Sequence, residues 1–267
     1  MRTNLQPALA AVPQDGDKKF VTALQKGMEV LTCFGRDAGK LTLSEVARLT
    51  GSTPASARRS LHTLLTLGFL ESDGKRFWMG PRTLLIAHAY LTSRPTAQLA
   101  QPVMEALAER TRESSSLGKL LDDDVIILSR SITRSTLTTG LGIGARLPAY
   151  CSALGRVLLA NLPAENAARM LRDMDRRPLT PRTTCGVDEL LALLRGCREL
   201  AGAYSDQELE LGVRSIAVPI VDRTGGTVAA LSISVRAERM SLAEFRTQSL
   251  PYLFKARDAL AVRLMPD

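Results

Sequence analysis

From Phe20 onward the apolar residues Phe20, Leu24, Met28 and Leu31 recur every three or four positions. That interval stacks side chains on one face of a helix, and it predicts a first helix reaching about Phe34. A second helix opens at Thr42, where Thr42 and Glu45 have capping-box spacing, Val46 and Leu49 point inward and Gly51 turns the chain. Residues 52–70, STPASARRSLHTLLTLGFL, hold a third: Thr53 caps it, Pro54 takes a first-turn position that needs no amide donor, and Gly68 ends it. On this helix Ala57, Leu61, Leu64 and Leu65 fall on one side, while Ala55, Arg59, Thr63 and Thr66 fall opposite with Arg58 at the flank. FLESDGKRFWMG follows, two short strand-forming runs around Asp73 and Gly74, a favoured hairpin pair. This order predicts a winged helix-turn-helix over residues 18–80, after an aperiodic Pro, Gln and Ala tail at residues 1–17. GPRTLLIAHAYL then predicts a linker helix over residues 81–94, with Leu84, Leu85, His88 and Leu91 in register and His88 packed or at a dimer interface.

Over residues 95–267 the pattern mixes both periods. Leu99, Val103, Leu107 and Arg110 mark a helix; SSSLGKLL and VIILSRSI, either side of the acidic turn 122–124, read as a hairpin, and a further strand is expected near residues 135–139. Helices are predicted at about residues 152–161, 164–174 and 188–200, then strands SIAVPIV and TVAALSISV joined at Gly225 and Gly226. Ser241 and Glu244 form another capping box that opens a long C-terminal helix, bent near Pro251. The fold class expected is α+β: an N-terminal winged helix-turn-helix followed by an α/β domain of the GAF-like, effector-binding type, an antiparallel sheet flanked by helices.

Charge changes this picture more than composition does. The 267-residue chain is 45% hydrophobic, enough for a sizeable core, and carries a net charge of +8. Residues 1–92 hold twelve Lys and Arg against seven Asp and Glu, so the positive charge is concentrated at the front. A polyanion-binding module joined to a nearly neutral domain has this asymmetry. Two helices linked by a short turn can set the second into a major groove, its first residues at base edges and the hairpin wing against the backbone. Arg58 and Arg59 then reach guanine edges or phosphates, Ser52, Thr53, Ser56 and Thr63 offer hydroxyls, and Lys75 and Arg76 meet phosphate from the wing. Double-stranded DNA is the partner this implies.

Other classes fit poorly. No apolar run approaches the roughly 20 residues that span a bilayer, and the first residues lack a secretory signal's pattern, so a cytoplasmic protein is expected. Cys33, Cys151, Cys185 and Cys197 contain no C-x-x-C pair, and His62 and His88 supply no ligand spacing; neither a disulfide framework nor a metal site is expected. GLGIG at residues 140–144 lacks nucleotide-loop order, and Pro148 interrupts any helix after it. Cys151 has no histidine near it in the sequence to make it a thiolate, so a packed or pocket-lining role is expected. No catalytic residue and no cofactor are expected.

These motifs together resemble the IclR-type transcriptional regulators over nearly the whole chain, from FVTALQKGMEVLTCFG through the wing to LGVRSIAVPI and LSISV. SSSLGKLLDDDVIILSRS and GARLPAYCSALGRVLLA are most similar to the branch containing PcaR, PcaU and PobR, regulators of protocatechuate and 4-hydroxybenzoate catabolism. The resemblance implies a dimeric or tetrameric regulator, an activator of aromatic-acid catabolism, that binds promoter DNA at the front and a small aromatic carboxylate at the rear. The alternatives are a repressor responding to a keto or dicarboxylic acid, and an enzyme domain fused to a DNA-binding module. By motif, the resemblance places Leu147, Tyr150, Ser152, Ala153, Leu154, Ser215, Ser232 and Ser234 at the effector. Ser232 and Ser234, two apart on a strand, share one face. Arg134 is the candidate cation for the carboxylate, against the alternative of a surface strand residue; Arg156 could face solvent, and Arg214 could brace the domain by a salt bridge.

Overall fold

The computed structural model describes residues 19–35, 39–93, 95–132, 141–222 and 224–264. The chain divides into two compact units, Met1–Thr92 and Ser93–Asp267.

In the first unit, helices α1 (Thr22–Thr32), α2 (Leu43–Leu49) and α3 (Pro54–Thr66) close over a core of Val30, Leu31, Val46, Ala47, Ala57, Leu61 and Leu64. Each cap expected from the sequence forms. Thr42 N–H donates to Glu45 Oε2 at 2.8 Å while Glu45 N–H donates back to Thr42 Oγ1 at 3.3 Å, and Thr53 Oγ1 accepts from Ser56 N–H at 3.2 Å. Gly51 and Gly68 take positive φ, +61° and +75°, where a side chain would be strained. The wing is a three-stranded antiparallel sheet in which β1 (Leu41–Thr42) and β2 (Leu70–Ser72) flank β3 (Arg76–Met79). β1 has too few residues to show an alternation, so it escaped the sequence pattern. The first helical stripe is only partly core: Leu31 is buried, whereas Phe20, Leu24 and Met28 are exposed. Leu65, expected inward, lies at the stripe's edge and is also exposed. Helix α4 (Thr83–Ser93) buries none of its side chains, His88 included.

The second unit is built on a six-stranded antiparallel sheet, β4 (Ser114–Leu121), β5 (Asp124–Ser131), β6 (Arg146–Pro148), β7 (Ala203–Asp206), β8 (Val213–Val221) and β9 (Thr227–Arg236), in spatial order β6-β5-β4-β9-β8-β7. Alternation decides the layers. Leu117, Leu128, Ile216, Val218, Leu231 and Ile233 pack under α5 (Pro95–Thr111) and α9 (Leu242–Leu264), while Val125, Ile127, Ala217 and Ala230 face α6 (Ala153–Ala160), α7 (Ala164–Asp173) and α8 (Val187–Glu199). Both faces are covered, so the strands read as near-continuous apolar runs, with polar residues gathered at Ser114–Ser116 of β4 and Ser129–Ser131 of β5. The short edge strands β6 and β7 had no sequence signature. The strand expected near residues 135–139 lies outside the described residues. The Ser241–Glu244 capping box forms, and α9 continues through Pro251.

Candidate functional site

In the first unit α3 turns its apolar stripe inward and leaves Arg58, Arg59 and Thr63 exposed on the far side. Lys75 and Arg76 stand exposed on the wing, where their backbone N–H groups donate to Asp73 Oδ1 at 3.0 and 2.7 Å. Those two bonds hold the Asp73 carboxyl below its ordinary range and shape the turn. None of Arg58, Arg59, Lys75 and Arg76 has a carboxylate within ion-pair distance among the described residues. Ser52 Oγ pairs with Thr50 Oγ1 at 2.7 Å, and Thr53 is exposed at the helix start. Ser56 is a correction: it is 8% exposed, because at that position the helix turns it toward α3's packed side, and it offers no surface hydroxyl. Sequence reasoning missed Lys40, whose ammonium lies 4.1 Å from the centre of the Trp78 ring, itself anchored by Nε1–H donating to Glu71 Oε2 at 2.8 Å. A lysine far in sequence from the hairpin left no signal.

In the second unit the strand register builds a polar floor. One row across the sheet is Ser205, Ser215, Ser234 and Ser114; the next is Arg130, Ser116 and Ser232. Neighbouring strands lie about 4.8 Å apart and alternate residues share a face, so these side chains form a continuous hydroxyl ladder with one cation at its end. Ser215 and Ser234 hydroxyls bond each other at 2.9 Å, and Ser205 Oγ–H donates to Cys151 O at 2.7 Å. Arg130 Nη1 donates to Leu141 O at 3.1 Å, and burial lowers the pKa of its guanidinium.

The start of α6 faces this floor. Ser152 caps the helix, accepting from Gly155 N–H at 3.1 Å, so the amides of Ala153 and Leu154 are left without an intrahelical acceptor, the general state of a first turn. Floor and helix enclose a cavity of about 40 Å³ lined by Ser116, Arg130, Leu147, Ser152, Ala153, Leu154, Ser215, Ser232 and Ser234, with Leu141, Ser205, Leu209, Glu210 and Val213 completing the walls. A helix N-terminus, a cation and hydroxyls around an apolar slot can hold a small carboxylate that also bears hydroxyl groups.

Of the residues placed here by motif, Leu147, Ser152, Ala153, Leu154, Ser215, Ser232 and Ser234 line the cavity. Tyr150 does not. It is buried with its hydroxyl donating to Arg177 O at 2.5 Å and accepting from Arg177 N–H at 3.1 Å, which turns the ring away. Arg134 lies outside the described residues. Arg130 was legible only as a strand residue; its register opposite Ser116 is what brings it to the cavity. Arg156, for which the sequence left a solvent-facing position open, is buried in an ion pair with Glu208, Nη1–Oε1 and Nη2–Oε2 both 2.5 Å. Arg214 braces β7 through Asp206, Nε–Oδ1 2.6 Å.

Burial pushes the Cys151 thiol up to about 12, which disfavours its thiolate. Among the described residues no group of three or more His, Cys, Asp or Glu could hold a metal ion, and no helix is long and apolar enough to cross a membrane.

Two family models match the chain. Residues 23–74 fit the IclR helix-turn-helix domain, and residues 88–260 fit the bacterial transcriptional regulator IclR C-terminal domain. The Pca regulon regulatory protein of Pseudomonas putida is 36% identical over 250 residues, 93% of this chain and 86% of that one. A Rhodococcus crystal structure described as a transcriptional regulator is 39% identical with a TM-score of 0.77, covering 92% of this chain and 98% of that chain. The inducer-binding domain of a PobR double mutant from Acinetobacter, solved in complex with 3-hydroxybenzoic acid, is 28% identical with a TM-score of 0.58 and covers 62% of this chain and 97% of that chain.

Proposed function

Because the chain belongs to the IclR family of bacterial transcriptional regulators, we propose that it controls aromatic-acid catabolism by activating transcription when a small hydroxylated aromatic carboxylate, such as 4-hydroxybenzoate or protocatechuate, occupies the cavity at the head of α6. It is a regulator and not an enzyme. The observation that carries the effector reading is the meeting of Arg130, the first-turn amides of α6 and the serine ladder around one cavity. The carboxylate is taken by the amides and Arg130, the ring by Leu147 and Leu154, and ring hydroxyls by Ser215, Ser232 and Ser234. Similarity to the Pca regulon protein and to the PobR domain supports the aromatic class.

The cavity's 40 Å³ falls far below the roughly 300 Å³ or more typical of ligand pockets. An aromatic acid therefore binds a state in which these walls stand further apart, and the difference in affinity between the two states is the free energy available for signalling. Calorimetry against aromatic, short keto and dicarboxylic acids tests this. The hydroxybenzoates should bind selectively, and Arg130→Ala should weaken them about tenfold or more, the loss of one charge-assisted bond. Binding confined to the aliphatic acids would overturn the aromatic reading.

For DNA, α3 enters the major groove with Arg58, Arg59 and Thr63 toward base edges, Ser52 and Thr53 beside phosphate, and Lys75 and Arg76 on the wing. Arg59→Ala should reduce specific promoter affinity about tenfold at matched salt while leaving effector affinity unchanged. A gel-shift titration showing wild-type promoter affinity would remove Arg59 from the interface.

The working unit is a homodimer. Leu84 and Leu85 on α4 are 68% and 66% exposed, Ile86 and Tyr90 are exposed too, and Leu24 on α1 and Val21 just before it add to this. Helices this apolar on the outside need cover, and a second copy also supplies the second recognition helix that paired half-sites demand. Light scattering should return about twice the 28.9 kDa chain mass, or a multiple of that for a tetramer; a single-chain mass at micromolar concentration counts against it.

A further inference from the structure

A cavity of about 480 Å³ lies in the second unit between α8 and β7, and it shares no lining residue with the effector pocket. Its size is within the range of small-molecule sites. One wall is the α8 face of Ala192, Leu193, Gly196 and Cys197 with Leu200 just past its end, and Gly202 and Tyr204 of the β7 region form the other, with Arg156 among the lining residues. Gly196 contributes open space: a Cβ there would meet nothing within 4 Å.

Arg156 supplies a second, independent observation. A guanidinium carries five N–H donors. Nε donates to Tyr150 O at 3.0 Å, Nη1 to Tyr204 O at 3.1 Å and to Glu208 Oε1, and Nη2 to Glu208 Oε2. The fifth N–H, on Nη2, has no acceptor among the described residues, although the residue is only 2% exposed. A buried donor beside a cavity favours an acceptor placed there. Glu208 already neutralises the guanidinium, and Glu189 stands exposed in the lining, so an anion gains little.

We propose that this cavity is a second ligand site, for a small uncharged apolar molecule bearing one carbonyl or ether oxygen. The oxygen accepts from Arg156 Nη2 and the apolar body lies along α8. Because the same guanidinium holds the carbonyls of Tyr150 and Tyr204, and Tyr204 precedes Ser205 of the effector pocket, whose hydroxyl donates to Cys151 O, occupancy changes effector affinity. This coupling rests on the effector reading; the binding itself does not.

The probe is 4-fluoroacetophenone, titrated against the full chain and followed by fluorine NMR. Gly196→Phe, and separately Ala192→Trp on the exposed helix face, should weaken the probe about tenfold or more by filling the cavity, with 4-hydroxybenzoate affinity unchanged within about twofold. Saturating 4-hydroxybenzoate should shift probe affinity by a few-fold without displacing it. No probe binding to the wild type, equal binding by both filled variants, or simple competition with 4-hydroxybenzoate would overturn the site. Probe binding that the filled variants lose, in a protein that ignores every aromatic acid, would leave this site standing and remove the effector reading alone.

Discussion

Gly155→Ala should lower the melting temperature by about 5 °C or more and abolish effector binding. At this position a Cβ would stand 2.2 Å from Ala149 O and 2.3 Å from Ala149 Cα. Both are backbone atoms with no rotamer to move into, and Ala149 is pinned by its N–H donating to Asp123 O at 3.0 Å. Two effects oppose one another. Alanine gains about 1 kcal/mol of helix propensity over glycine, whereas overpacking costs roughly 1–3 kcal/mol even where side chains can yield. The clash should win by about 2 kcal/mol, and in a unit of this size each kcal/mol moves the transition by about 2–4 °C. Relief requires α6 to lift from the 149–152 segment, which displaces Ser152, Ala153 and Leu154 from the cavity they line. Calorimetric scans give the stability and a 4-hydroxybenzoate titration the binding. A variant as stable as wild type would show that the close approach is not present in solution.

Removing one partner of the Arg156–Glu208 pair should cost about 3–5 kcal/mol, because the survivor is left charged and buried. Glu208 does more than neutralise: Oε2 accepts from Thr184 N–H at 3.0 Å, and its own carbonyl accepts from Thr183 Oγ1–H at 2.6 Å. The pair thus ties α6 to β7 and to the 180–184 segment, around a guanidinium that also holds two backbone carbonyls. Arg156→Met and Glu208→Leu should each be strongly destabilised in urea unfolding, and the double variant should recover a large part of the loss, since a packed apolar pair carries no desolvated charge. Additive losses in the double variant would mean that the two side chains act independently.

Several features were legible because they are local. The capping boxes at Thr42 and Ser241, Pro54 in the first turn of α3 and the Asp73–Gly74 hairpin need only neighbours in sequence, and each forms as expected. Two-residue spacing placed Ser232 and Ser234 on one face before any partner strand was known. The misses are non-local. Tyr150 stands beside pocket residues, yet its hydroxyl is claimed by Arg177, 27 positions away. Arg156 reads as an exposed helix cation until Glu208, 52 positions on, is folded against it. Ser56 carries a hydroxyl suited to phosphate, but helix rotation buries it.

By itself the sequence determined the order of helices and strands, the caps and turns that end them, the cationic outer face of α3 and the side of β9 that bears hydroxyls. These follow from backbone periodicity and short-range hydrogen bonding, which any segment carries with it. Only the tertiary structure decided that Arg130, Ser116 and Ser205 join Ser215 at the head of α6, and that Arg156 is sealed inside with Glu208. Those outcomes depend on strand register and on which charges are excluded from water together, quantities that come into being when distant segments pack.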